Sequence, residues 1–220
     1  MTLLDAGTDM PVAAEPAPAF SAATRPAPRI SLEALGYYWP RQQVEAFYEQ
    51  VRQCPADVVY LGETVCSRRH EMRLEDWLAV AVTLADAGKE VVLSTQALLE
   101  SESDLKALRR LIDAAAADRR LRVEANDFGA VRLLAELELP FVAGPGLNVF
   151  NPQTLDLLAE LGATRWVMPA EMSGATLRAL LSGTTSAIAT EALVWGRLPL
   201  ALSARCFTAR AGNFKSSPRF

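Results

Sequence analysis

One histidine, His70, and three cysteines, Cys54, Cys66 and Cys206, are all that the 220 residues offer in imidazole and thiol. A single imidazole excludes sites built on several histidines. An odd and widely spaced set of cysteines makes no disulfide framework, so a reducing compartment is expected and the thiols are free for metal. Excess positive charge is also missing. With 22 basic against 26 acidic residues the formal net charge is -4, which leaves no field to gather phosphate backbones, and nucleic acid is excluded as a partner. No apolar run reaches the roughly 20 residues of a membrane helix, so no transmembrane segment is expected. No basic residue precedes Arg25 and prolines interrupt the start, which fits neither a secretory signal nor a transit peptide. The expected location is the cytoplasm. Finally, "GYYWPRQ" stands where a dinucleotide-binding fold would carry its Gly-rich phosphate turn, which removes the main sign of that function.

What is present is apolar bulk, half of all residues, enough for one domain with a substantial core. Residues 1–28 are rich in Ala and Pro and have too little bulky apolar surface to offset the entropy of ordering, so they are expected to be a disordered extension. From Arg29 to Phe220 short runs such as "RISLEAL", "VVYLG", "EVVLST", "LRVEAN", "PFVAG", "RWVMP" and "AIATEALVW" alternate with stretches of helical period. That alternation predicts βα units around a parallel sheet. The expected fold is an α/β, TIM-barrel-like domain over 29–220, incomplete at the C-terminus because a full eight-unit barrel takes about 250 residues. Ser101 or Ser103 and Asn151–Pro152 read as helix starts, Gly88 and Gly162 as helix ends.

A barrel places Glu63, Cys66, Ser94, Gln96, Asn126, Asp127, Asn148, Glu171, Glu191 and Cys206 near the carboxyl ends of strands, the usual functional face. The stretch "YLGETVCSRRHEMR" (60–73) is the densest in chemistry. Cys66 follows a strand, and Arg68 and Arg69 would favour its thiolate. It reads as a ligand or nucleophile, or else as an inert thiol. With His70 four residues on, a Cys–His nucleophile lacks an orienting third group, and zinc lacks a second ligand pair. Cys54 ends a helix on the side opposite the rim and reads as structural. Glu63, Asp127, Glu171 and Glu191 are candidates for acid–base work, or for pairing with arginines and capping helices; no catalytic residue is assigned. "GYYWP" and "RWVMP" read as packing, "GPGLN" as a turn, and "RRLIDAAAADRR" as a solvated helix face.

The order and spacing of "YYWPRQQVEAFY", "VVYLGETVCSRRHEM", "GKEVVLSTQALLESESDLK", "VEANDFGAVRLL", "PFVAGPGLNVFN", "LAELGATRWVMPAEMS" and "GRLPLALSARCFTAR" resemble the peptidase U32 family, and within it the branch serving ubiquinone biosynthesis. The resemblance implies a barrel-like domain and a role in oxygen-independent hydroxylation of a ubiquinone precursor, as a heterodimer with the related protein UbiU. It also implies a [4Fe–4S] cluster held by four cysteines, two of which correspond to Cys66 in "ETVC" and Cys206 in "ARCFTAR". The other two cysteines of the pattern do not occur in "AGNFKSSPRF". A truncated or degenerate member is therefore expected, one that holds a cluster poorly. The alternatives are a U32-type peptidase and a noncatalytic partner subunit.

Overall fold

The protein is described by a computed structural model that covers residues 27–66, 69 and 71–199. The expected disordered extension falls almost wholly outside the described residues, as do His70, Arg68 and Cys206. Seven strands alternate with six helices: β1 (Ser31–Leu32), α1 (Arg41–Val51), β2 (Val58–Leu61), α2 (Leu74–Asp86), β3 (Glu90–Ser94), α3 (Glu102–Ala117), β4 (Leu121–Ala125), α4 (Phe128–Glu136), β5 (Phe141–Ala143), α5 (Pro152–Glu160), β6 (Ala163–Val167), α6 (Gly174–Gly183) and β7 (Ala189–Glu191). All pairings are parallel and the strand order is the chain order, β1 to β7. A parallel neighbour must be reached by a crossover, and the helix in each crossover lies on one face of the sheet. The result is a curled, TIM-barrel-like half-barrel, as the alternation of runs and helices predicts.

Period 2 along each strand divides the residues between two environments. Val59, Leu61, Val91, Leu93, Val123, Phe141 and Trp166 face the helices and join Val44, Leu84, Ile112, Leu134 and Leu155 in the main core. Val58, Tyr60, Val92 and Val142 face the concave side in a smaller cluster with Ala34. The aromatics of "GYYWP" and α1 act as packing, since Trp39, Phe47, Tyr48 and Trp77 meet edge to face in succession. Trp166 of "RWVMP" is fully buried.

Helix boundaries follow local chemistry. Ser101 caps α3 and forms a capping box with Asp104, and Asn151 caps α5 ahead of Pro152. Gly88 and Gly162 have positive φ just after α2 and α5. Two strands are shorter than the apolar runs suggest. β1 uses only two residues of "RISLEAL", and β7 stops at Glu191, leaving Val194 and Trp195 exposed. Apolarity marks burial or a partner, whereas a strand also needs a neighbour to complete its ladder, and these are the two edges of the sheet. Among the described residues no helix is long and apolar enough to cross a membrane.

Candidate functional site at the rim and on the concave face

Leaving β2, the chain turns at Gly62, whose φ of 134° is one that side chains rarely adopt. A Cβ there would stand 2.8 Å from the Ser94 carbonyl oxygen, so glycine is required on both counts. The turn delivers Glu63, whose Oε1 accepts from the backbone N–H groups of Val65 (3.0 Å) and Cys66 (3.1 Å). Partial burial raises the Glu63 carboxyl, against these bonds and Arg69. Cys66 is thereby fixed at the carboxyl-end rim, half-buried and free. Arg69 lies 3.7 Å from Glu63, donates to the Gly36 carbonyl at 3.2 Å and covers the Tyr38 ring. Its charge is therefore shared with Glu63 and the β1–α1 connection, where the sequence alone suggested service to the thiol.

The concave face carries a second group of polar residues. Glu191 at the end of β7 accepts from Ser31 of β1 at 2.5 Å and from Tyr60 of β2 at 2.9 Å. Arg165 of β6 donates to Glu90 at 2.8 Å and stands 3.8 Å from Glu191. Glu90 also takes Arg29 at 2.6 Å, and despite partial burial these two guanidinium groups hold its carboxyl below the ordinary range. Burial, and then the charge of Glu191, push the Tyr60 phenol far up.

Glu124 of β4 has no such cation. Only 6% exposed, it takes part in no ion pair among the described residues, and its charged neighbours are Glu33 and Glu191. Burial raises its carboxyl to about 7, while the nearby Ser94 hydroxyl and the Asn126 amide pull the other way. Desolvation therefore prevails over hydrogen bonding here. Asn126 is the device that fixes it. Its backbone N–H donates to Thr95 Oγ1 (2.9 Å), while Nδ2 donates to the Thr95 carbonyl (3.1 Å) and to Glu124 Oε2 (3.0 Å). Its Oδ1 accepts from the Gly146 N–H at 3.1 Å. Gly144 lies directly over this pair, and any Cβ there would collide with Asn126 Oδ1 and Glu124 Cγ. The segment "GPGLN", read as a turn in the sequence, also braces Glu124, through a 3₁₀ turn at Pro145–Leu147.

The carboxylates expected at the rim do not converge. Asp127 caps α4 through Gly129, Glu63 braces its own loop, Glu171 is exposed, and only Glu191 joins the concave group. Gln96 is half-buried, and Asn148 is exposed, in a left-handed conformation. Glu124, Arg165, Glu90 and Tyr60 were not singled out in the sequence. The available signal was a charged residue inside an apolar strand run, since buried parallel strands otherwise read as continuous Val, Ile and Leu.

Of the two cysteines expected to hold a [4Fe–4S] cluster, Cys66 is among the described residues and Cys206 is not. Cys66 stands at the rim where a thiolate would serve. Cys54, between α1 and β2, lies at the amino-terminal end of the sheet, where its carbonyl and that of Ala56 accept from Lys89. Among the described residues no three His, Cys, Asp or Glu side chains are placed to hold a metal ion. Cys54 and Cys66 stand at opposite ends of β2, so these two thiols do not share a site.

Two comparisons agree on the relatives of this arrangement. The solved structure described as that of the U32 peptidase Mk0906 superposes with a TM-score of 0.55 at 17% identity, covering 80% of this chain and 71% of that one, which is a likeness of fold. Residues 42–219 match the family described as Peptidase family U32, a span that takes in the rim loop, Glu124, Arg165 and Glu191, and the chain belongs to the peptidase U32 family.

Proposed function

We propose that the chain is a UbiV-like subunit of the oxygen-independent hydroxylation system of ubiquinone biosynthesis, paired with a UbiU-like protein and acting on a ubiquinone precursor. The observation that supports this most directly is the place of Cys66. It lies in the "ETVC" motif, on a loop braced by Glu63 and Arg69, at the strand ends where barrel folds gather their chemistry. When bound, an iron–sulfur cluster supplies electron transfer. The residues of this chain fit that cluster in part: Cys66 as one ligand, Cys206 as a second by its motif, and none of the remainder. Open iron sites admit solvent and lose iron, so the chain alone is expected to load a cluster poorly.

Anaerobic reconstitution followed by iron and sulfide analysis tests this, with Cys66→Ala and Cys206→Ala beside the parent chain. Weak loading that falls further in either variant is the expected result, and a stable UbiU-like complex at micromolar concentration is expected on co-purification. Near-stoichiometric four-iron loading that survives desalting and is indifferent to both substitutions would overturn the ligand assignment. Failure to co-purify would count against the heterodimer.

A U32-type peptidase is the second reading, favoured by the half-buried, free thiol of Cys66 at the rim. Peptide cleavage abolished by Cys66→Ala would establish it. Partner binding without iron or cleavage would identify a noncatalytic subunit.

A further inference from the structure

The outer surface is charged over one part and apolar over another. Helices α1 to α4 are laced by ion pairs, among them Arg41–Glu45, Arg110–Glu75 and Arg132–Glu136. Helices α5 and α6 take part in none among the described residues, and across their 9 and 10 residues they carry three charged side chains, Asp156, Glu160 and Arg178. Asp156 is taken up by the chain after α6, accepting from the Thr184 hydroxyl and from the N–H groups of Thr185 and Ser186. That tie holds the end of α6 against the first turns of α5 and sets their outer faces side by side. On α5, Leu157, Glu160 and Leu161 share one stripe by their i, i+3 and i+4 spacing, and on α6 Arg178 and Leu181 do the same. The three leucines are 49%, 37% and 39% exposed, while the inward face of α5 is already filled by Leu155 and Leu158. Leu180 is the one buried residue of α6, and so short a helix draws its stability from packing more than from propensity. The two helices therefore present an apolar face that the fold leaves uncovered, depleted in charge as the cores of interfaces are.

We propose that the α5–α6 face docks a second copy of this chain across a two-fold axis. The occupant follows from the charges left over. Glu160 and Arg178 have opposite signs, and neither side chain forms an ion pair or a hydrogen bond among the described residues. A two-fold contact is self-complementary, so when Glu160 of one copy meets Arg178 of the other, the reverse pair forms as well. Both unmatched charges then find a partner at once, and the leucines beside them close on one another. An acidic surface, whether nucleic acid or anionic lipid, would satisfy Arg178 and repel Glu160. A basic surface would do the opposite.

The contact needs neither iron nor a UbiU-like protein, so it stands or falls apart from the proposed function. Sedimentation of the purified full chain across the micromolar range is expected to show monomer passing to dimer and no larger species. Leu157→Lys and Leu181→Lys together are expected to leave it monomeric with its circular dichroism unchanged, since both positions are exposed and a lysine stem can lie along the helix. Glu160→Arg and Arg178→Glu, made singly, set like charges together at both ends of the contact, and each is expected to weaken the dimer about tenfold. Combined, they restore opposite signs and are expected to recover it. A monomer at every concentration, growth beyond the dimer, a dimer indifferent to the leucine changes, single charge changes without effect, or a combined variant that is not rescued would each overturn the proposal.

Discussion

At the scale of the residue, Glu124 links burial to a measurable pH dependence. Its carboxyl is raised to about 7 in the fold by burial first, with Glu33 and Glu191 as like charges and Ser94 and Asn126 opposing. An unfolded glutamate titrates near 4.3. Between those values the folded state holds a proton that the unfolded state has released, so stability falls as pH rises through that window and levels off above it. The full effect is of order 3 kcal/mol. Chemical denaturation between pH 4.5 and 7.5 is expected to show this decline, and Glu124→Gln to lessen it, the remainder belonging to Glu33 and Glu63, whose carboxyls burial also raises. Glu90, whose carboxyl is held below the ordinary range, gives a slope of opposite sign at lower pH, outside that window. A pH dependence that is the same in the parent and in Glu124→Gln would show that Glu124 does not titrate in this window.

At the scale of the element, the turn after β2 depends on one glycine. Gly62→Ala would place a Cβ against the Ser94 carbonyl and hold alanine at a φ of 134°. Loss of about 1–3 kcal/mol is expected from strain of this kind, read as a lower denaturation midpoint with an unchanged slope. The elements themselves were legible because each apolar run is followed by an amphipathic stretch and several boundaries carry a cap. Ser101, Asn151–Pro152, Gly88 and Gly162 all do what their chemistry suggests. The edges were not. "RISLEAL" and "AIATEALVW" are as apolar as central runs, yet a run cannot announce that it has a neighbour on one side only. The rim position of Cys66 was readable from its place after β2, and the separation of Cys54 from the order of α1 and β2. The concave cluster was hidden because "EVVLST", "LRVEAN" and "RWVMP" identify strands without showing that Glu90, Glu124 and Arg165 lie on one face, or that Arg165 reaches Glu90 across the curl.

At the scale of the whole molecule, the curl raises the question of what holds its two edges near one another. The ladder runs from β1 to β7 and the two edges share no pairing, yet Glu191 of β7 accepts from Ser31 of β1 and Tyr60 of β2. Arg165 and Arg29 meet on Glu90, joining β6 and the approach to β1 through β3. Side chains therefore span the seam where backbone bonds do not. All but the exposed Arg29–Glu90 pair are partly buried, so they are less screened than surface pairs, and breaking one leaves a neighbour without its partner. Glu191→Ala removes the acceptor common to Ser31 and Tyr60. It is expected to speed hydrogen exchange in β1 and β7, while β3 and β4, each paired on both sides, keep the protection of the global fold. The accompanying fall in overall stability should be small, because the main core on the outer face is untouched by the change. Equal loss of protection in all strands would mean that the seam and the core unfold as one unit, and no change at either edge would mean that the curl is set by the β2–β6 ladder alone.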